Sequence, residues 1–176
     1  PSSALVGGFA AGDTVAYMDR MLNAGLLHAS AALGVAESAD AHATRPLAGL
    51  AELDPRSLML AAENEVDLAA ARALLSRAAS LVDDAYERSP GSPLPPEEVT
   101  SVFAEAQAAK TFIGETAVRI VDRALALSGG AGYLNGSPLA RAYRDVRATA
   151  FMHPLGANRA YAFLGELAAG RTPSLH

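Results

Sequence analysis

A chain of 176 residues that is 51% hydrophobic but only 6% aromatic can bury one sizeable core, and since alanine and leucine supply most of that apolar content it reads as all-α. A net charge of −5 excludes nucleic acid as a main partner, because neutralising phosphates takes a basic face. With no cysteine, disulfides, thiolate catalysis and zinc–thiolate sites are excluded; no apolar run is long enough to span a membrane and no basic leader opens the chain, so a cytoplasmic protein is expected.

Residues 1–12, "PSSALVGGFAAG", read as an irregular lead-in. Asp13 or Thr14 caps a first helix that runs to about Ala43. Gly25 and Gly34 fall inside it, each costing about 1 kcal/mol against alanine, so each calls for a packing reason. A linker, "TRPLAGLAELDP", follows. Asp54-Pro55 is a helix start: an N-cap, then a proline where its missing N–H costs nothing. That second helix extends to about Arg88, with Leu58, Ala62, Val66, Ala69, Ala73 and Leu81 recurring at helical spacing.

"SPGSPLPP" breaks the chain. Pro96-Glu97-Glu98 opens a third helix, acids at its positive end. Its stripe is Val99, Val102, Phe103, Ala106, Ile113, Ala117, Ile120, Val121, Ala124 and Leu127, and Gly129-Gly130 ends it. Ser137-Pro138 starts a shorter helix, His153-Pro154 interrupts it, and a last helix covers about 155–169. Three long antiparallel helices plus two shorter ones make an up-down bundle of four-helix type with an added short helix. One bundle domain, 13–170, with a tail at 171–176, is the expected organisation.

Chemistry narrows to few places. None of Glu63, Glu65, Glu97, Glu98, Glu105 and Glu115 has a histidine three residues on, the pairing a di-iron bundle needs, so no metal site is expected. "GGAGYLNG" is no phosphate loop, lacking a following Lys-Ser/Thr and a preceding strand. His28 reads as a boundary histidine, His42 as a cation favoured at a helix C-terminus, and His176 as a tail residue. His153 stands at a break between helices beside Phe151 and Met152. It either packs there or points into a cavity and exchanges protons; spacing leaves both open. Arg144-Asp145 reads as a structural ion pair of small value, and Tyr133 as a packing residue.

"SGGAGYLNGSPLARAYRDVRA" resembles the end of the acyl-CoA dehydrogenase superfamily: a Gly-Gly-x-Gly turn, then a proline, an arginine and an Arg-Asp at this spacing. "ASAALGVAESADAHA" and "VDLAAARALLSRAASLVDDA" resemble helices of that family's C-terminal domain, so the resemblance covers nearly the whole chain. It implies a helical domain that walls a flavin (FAD or FMN) against a separate β-domain and a neighbouring subunit. The chain starts where that C-terminal domain starts. A fragment, one half of a split enzyme, or a bundle reused alone are the expected alternatives, with tight flavin binding not expected of the chain by itself. The assembly expected is a homo-oligomer or a complex with a chain carrying the flavin-binding domains, acting on a small acyl or aromatic compound.

Two departures from the family pattern redirect the expectation. Where many dehydrogenases of the family carry a catalytic glutamate followed by Gly-Thr, this chain has His153-Pro154-Leu155, and the alternative glutamate position near Ala24 is also empty. A histidine in that region resembles the flavin-dependent monooxygenase branch. The family's Arg-x-x-Phe-Gly flavin contact is here Arg45-Pro46-Leu47-Ala48-Gly49. The resemblance therefore implies a flavoenzyme performing acyl-CoA dehydrogenation or flavin-dependent hydroxylation. His153 would be its acid/base, Arg45, Gly129, Gly130 and Ala131 would lie at the flavin, and Phe151, Met152 and Tyr133 at the substrate. The rival reading is a flavin-free bundle: a binding or assembly module, or a cofactor-free cyclase or isomerase using His153.

Overall fold

Local chemistry sets most of the helix starts. A computed structural model describes residues 13–173 and 175, so the expected lead-in 1–12 and His176 lie outside the described residues. Helix α1, Thr14–Thr44, begins where the Asp13 carboxylate accepts from the Ala16 N–H at 2.9 Å. Its end runs into a short 3₁₀ turn, Arg45–Gly49. Helix α2, Pro55–Arg88, starts on Asp54, which accepts from the Ser57 N–H at 3.0 Å. Helix α3, Pro96–Ser128, stops at Gly129, whose φ of +61° suits a residue without a Cβ. A second 3₁₀ turn, Gly129–Tyr133, leads into α4, Pro138–Arg147. Residues 148–156 break the helical path before α5, Ala157–Ala168.

Side-chain pairs give the directions. Glu37 meets Arg72 and Asp40 meets Asn64, so α1 and α2 are antiparallel. Arg88 pairs with Glu98, and Asn64 reaches the Ile120 carbonyl, so α2 and α3 are antiparallel too. Consequently α1 and α3 run parallel: Tyr17 packs on Phe103 near their starts. On the return path Arg147 faces Asp122, Tyr161 bonds Glu115 and Phe163 meets Phe103. Helices α4 and α5 thus descend α3 as one strut broken in the middle, which completes the four-helix bundle.

The core is thin-walled because alanines at the contacts let backbones approach. Phe103, Ile113, Ile120, Leu22, Leu68 and Phe163 fill it, with Ala36, Ala71, Ala106 and Ala117 between helices. Phe103 and Phe163 meet edge-on at 5.4 Å, worth roughly 0.5–1.5 kcal/mol beyond the area they bury. Gly25 has the packing reason expected of it: a Cβ there would lie 3.0 Å from Gln107 Nε2. Gly34 has none, facing open space.

Helix α2 corrects the expected stripe. Leu58, Ala62, Val66, Ala69 and Ala73 face outward and Leu81 is half-buried; Asn64, Leu68, Ala71, Ala78, Val82 and Ala85 face the core. Alanines and leucines ring this helix, so apolar spacing alone fits more than one face. The buried face is entered by a polar residue, Asn64, which donates to Asp40 at 2.8 Å and accepts from Arg123. Arg123 also binds Asp67 at 2.7 Å. Burial works against the charge of Asp67, but the bonds from Arg123 and Arg119 hold its carboxyl below the usual range.

Candidate functional site

The break in the fourth strut leaves a stretch of backbone without helical hydrogen bonds. A helix end leaves carbonyls without intrahelical partners, and here α4 ends and α5 begins within one short stretch. Two side chains bond carbonyls of the non-helical stretch that joins them. Lys110 of α3 donates from Nζ to the Met152 carbonyl and, at 2.6 Å, to the Leu155 carbonyl. Tyr17 of α1 donates to the Pro154 carbonyl at 2.9 Å. The segment around His153 is therefore held from both sides of the histidine, through its main chain. The His153–Pro154 peptide is cis.

Lys110 is only 5% exposed, and burial of its ammonium pushes its pKa down to about 8. Its stem passes Gly25, where a Cβ would contact Lys110 Cδ at 3.7 Å. Beside it Gln107 is fully buried, and its amide has no hydrogen-bond partner among the described residues. Burial also pushes the Tyr17 hydroxyl up from its ordinary pKa, against the opposing pull of Arg159. A cleft of about 170 Å³ opens next to the break, lined by Lys110, Glu115, Arg147, Thr149, Leu155 and Ala157 among others.

The side chains of the segment point the other way. Phe151 is 86% exposed, and Met152 and His153 are exposed too. His153 makes no hydrogen bond or ion pair among the described residues, and His28 is half-buried and likewise without a hydrogen bond there. The glycine turn lies elsewhere. Lys110 and Gly129 are separated by about 28 Å along α3, at roughly 1.5 Å per residue. Gly129, Gly130, Ala131 and Tyr133 thus sit at one end of the bundle, with Tyr133 76% exposed. Because α1 and α3 are parallel, Arg45, just past the end of α1 and exposed, sits at that same end. The structure groups Arg45 with the glycine turn, and Phe151, Met152 and His153 with the strut break. It does not gather all of them around one point.

The expected Arg144–Asp145 pair is not formed. Asp145 pairs with Arg141 at 3.2 Å instead, because helix neighbours four apart share a face and adjacent residues do not. Arg144 is exposed and has no ion pair among the described residues. Lys110 and Tyr17 were not singled out by sequence reasoning. The available signal was that Lys110 is the single lysine among 14 basic residues, set inside the apolar stripe of α3.

Residues 7–158 match the family model for the C-terminal domain of acyl-CoA dehydrogenases. The chain belongs to the acyl-CoA dehydrogenase family. Within that family, 65 residues are 51% identical to the amino sugar nitrososynthase DnmZ of Streptomyces peucetius, covering 37% of this chain and 16% of that protein. The crystal structure of KijD3 with FMN and a dTDP-linked 3-amino-4-keto sugar superposes with a TM-score of 0.84 at 30% identity, over 92% of this chain and 40% of KijD3. A nitrososynthase from Micromonospora carbonacea var. africana gives 0.81 at 30% identity, over 88% and 41%. This acyl-CoA dehydrogenase family chain thus spans about 40% of the length of the solved structures it matches. Among the described residues, no helix is long and apolar enough to cross a membrane.

Proposed function

We propose that this chain is the C-terminal helical wall of a flavin-dependent N-oxygenase acting on the amine of a nucleotide-linked amino sugar. The observation that carries the reading is the 51% identity to an amino sugar nitrososynthase. The residue pattern at the strut break supports it, with an imidazole where the dehydrogenases carry a carboxylate.

The glycine end and the strut break lie about 28 Å apart along α3, at roughly 1.5 Å per residue, so the residues at the glycine end would hold the anionic tail of a flavin whose reacting ring would lie toward the strut break. Tyr133 and Leu134 are exposed apolar side chains beside Gly129 and Gly130, whose surroundings leave open space where a Cβ would stand. Arg45 and Arg144 are exposed cations at or near that end, suited to an anionic group. When bound, a reduced flavin supplies the activation of dioxygen. The chain's own share is then orientation and proton handling. Phe151 and Met152 offer an apolar surface that excludes water beside the reacting amine. His153, exposed on its fixed segment, takes the proton an amine nitrogen must lose as it gains oxygen. No glutamate stands at the matching place to remove a proton α to a thioester.

The apolar outer face of α2 belongs to the same reading, as a surface for another domain or a second copy; Val66, 69% exposed, lies on it.

The test is turnover by the flavin-loaded holoprotein. The expected result is oxidation of a dTDP-amino sugar, no dehydrogenation of an acyl-CoA, and loss of turnover in His153→Ala with helix content and flavin binding retained. Dehydrogenation of an acyl-CoA would overturn the reading, and so would full amino-sugar turnover in His153→Ala.

A further inference from the structure

The strut break poses a mechanical question. A proton-transfer group has to be held to within a fraction of an ångström, since a misplacement of about 1 Å can cost on the order of a hundredfold in rate. His153 has no side-chain partner to hold it among the described residues. Its ring can be placed only by its backbone, and three of the four carbonyls from Met152 to Leu155 are bonded by Lys110 and Tyr17. The carbonyl left over is that of His153 itself.

Both holders are rooted in the core and not in the segment. Tyr17 stacks edge-on to Phe103 at 6.5 Å, and Phe103 to Phe163. Lys110 rises from the buried stripe of α3, past the space that Gly25 leaves. An ammonium carries three N–H donors, and two of them are spent on acceptors that bracket the histidine. A purely packing role would be served by leucine or methionine at this position without the cost of burying a charge. Its two bonds to carbonyls that bracket the histidine give the buried lysine its reason.

We propose that Lys110 and Tyr17 are positioning residues for His153. They fix the main chain on either side of it and do not touch substrate or flavin. The proposal rests on the reading of His153 as the group that handles the amine proton.

The experiment compares Lys110→Met, Tyr17→Phe and His153→Ala in the flavin-loaded holoprotein with a dTDP-amino sugar. Backbone amide exchange over 148–157 is measured in parallel. Methionine keeps the length and apolar stem of Lys110; phenylalanine keeps the ring of Tyr17. Expected for Lys110→Met is a fall in kcat of roughly tenfold to a hundredfold with KM little changed, and faster exchange confined to 148–157. Tyr17→Phe should show the same pattern more weakly, and it carries the test if the methionine variant fails to fold. Unchanged kcat in Lys110→Met or Tyr17→Phe, while His153→Ala is inactive, overturns the positioning role alone. Exchange spread evenly over the bundle reduces both residues to general stability and likewise overturns it. Full activity in His153→Ala sinks the reading beneath it, and the positioning proposal with it.

Discussion

Replacing the buried lysine by methionine should change how stability responds to alkali, in a direction opposite to most ion-paired sites. In the unfolded chain Lys110 keeps its proton up to about 10.5. In the folded chain burial releases that proton at about 8. Between those values the unfolded state holds one proton more, so raising the pH favours the folded state. The gap of 2.5 pK units, 10.5 less 8, corresponds to about 3 kcal/mol at 1.36 kcal/mol per unit. Below pH 8 the wild type bears that desolvation cost, and the two bonds from its ammonium to the Met152 and Leu155 carbonyls favour the charged form and reduce it. Above it, the neutral amine still carries two N–H donors for the same carbonyls. Lys110→Met has no such titration. The stability of wild type minus that of the variant should therefore rise, by at most about 3 kcal/mol, between pH 7 and pH 10.5. Urea unfolding followed by far-ultraviolet circular dichroism at several pH values gives the difference directly. Taking it between two proteins that share Tyr17, Glu115, Arg147 and Arg159 cancels their titrations to first order. A difference that stays flat, or falls with pH, would show that the carbonyls offset burial completely and would refute this account of Lys110.

Two further outcomes follow from the bundle. Asn64→Ala removes the donor to the buried Asp40 carboxylate and the acceptor for Arg123, and should cost about 1–3 kcal/mol in urea unfolding; a loss near zero would mean water replaces the amide. Val66→Glu, on the exposed face of α2, should leave monomer stability within about 0.5 kcal/mol while weakening any self-association seen by sedimentation; unchanged association would place the interface on another face.

Helix boundaries were legible because they depend on neighbours in sequence. Asp54-Pro55, Pro96 and Ser137-Pro138 each carry the cap or ring that starts a helix, and the structure starts α2, α3 and α4 there. The buried face of α2 was not legible. Leu68, Ala71, Ala78, Val82 and Ala85 recur at three-, four- and seven-residue spacing, but the outward Leu58, Ala62 and Val66 recur at helical spacing as convincingly, and Asn64 makes the buried row look polar at its start. The break at His153-Pro154 was visible because a residue before proline avoids helical geometry. What holds the break was not, because the bonds to it come from residues 42 to 137 positions away in sequence. Arg45 and the glycine turn were legible as separate motifs. Their common end of the bundle, and its distance from His153, required the parallel course of α1 and α3.

The bonds that hold the broken strut end on main-chain oxygens, which every amino acid possesses. On the positioning proposal the path of the segment is stored largely in Lys110 and Tyr17, and the exposed side chains of Phe151 and His153 have little part in maintaining it. Under the proposed function, a substitution there would change reactivity without a matching repair elsewhere, so a carboxylate and an imidazole could be exchanged on the same scaffold. For engineering, positions 151 and 153 should accept substitution with little penalty in folding, whereas positions 17, 25 and 110 should be left alone.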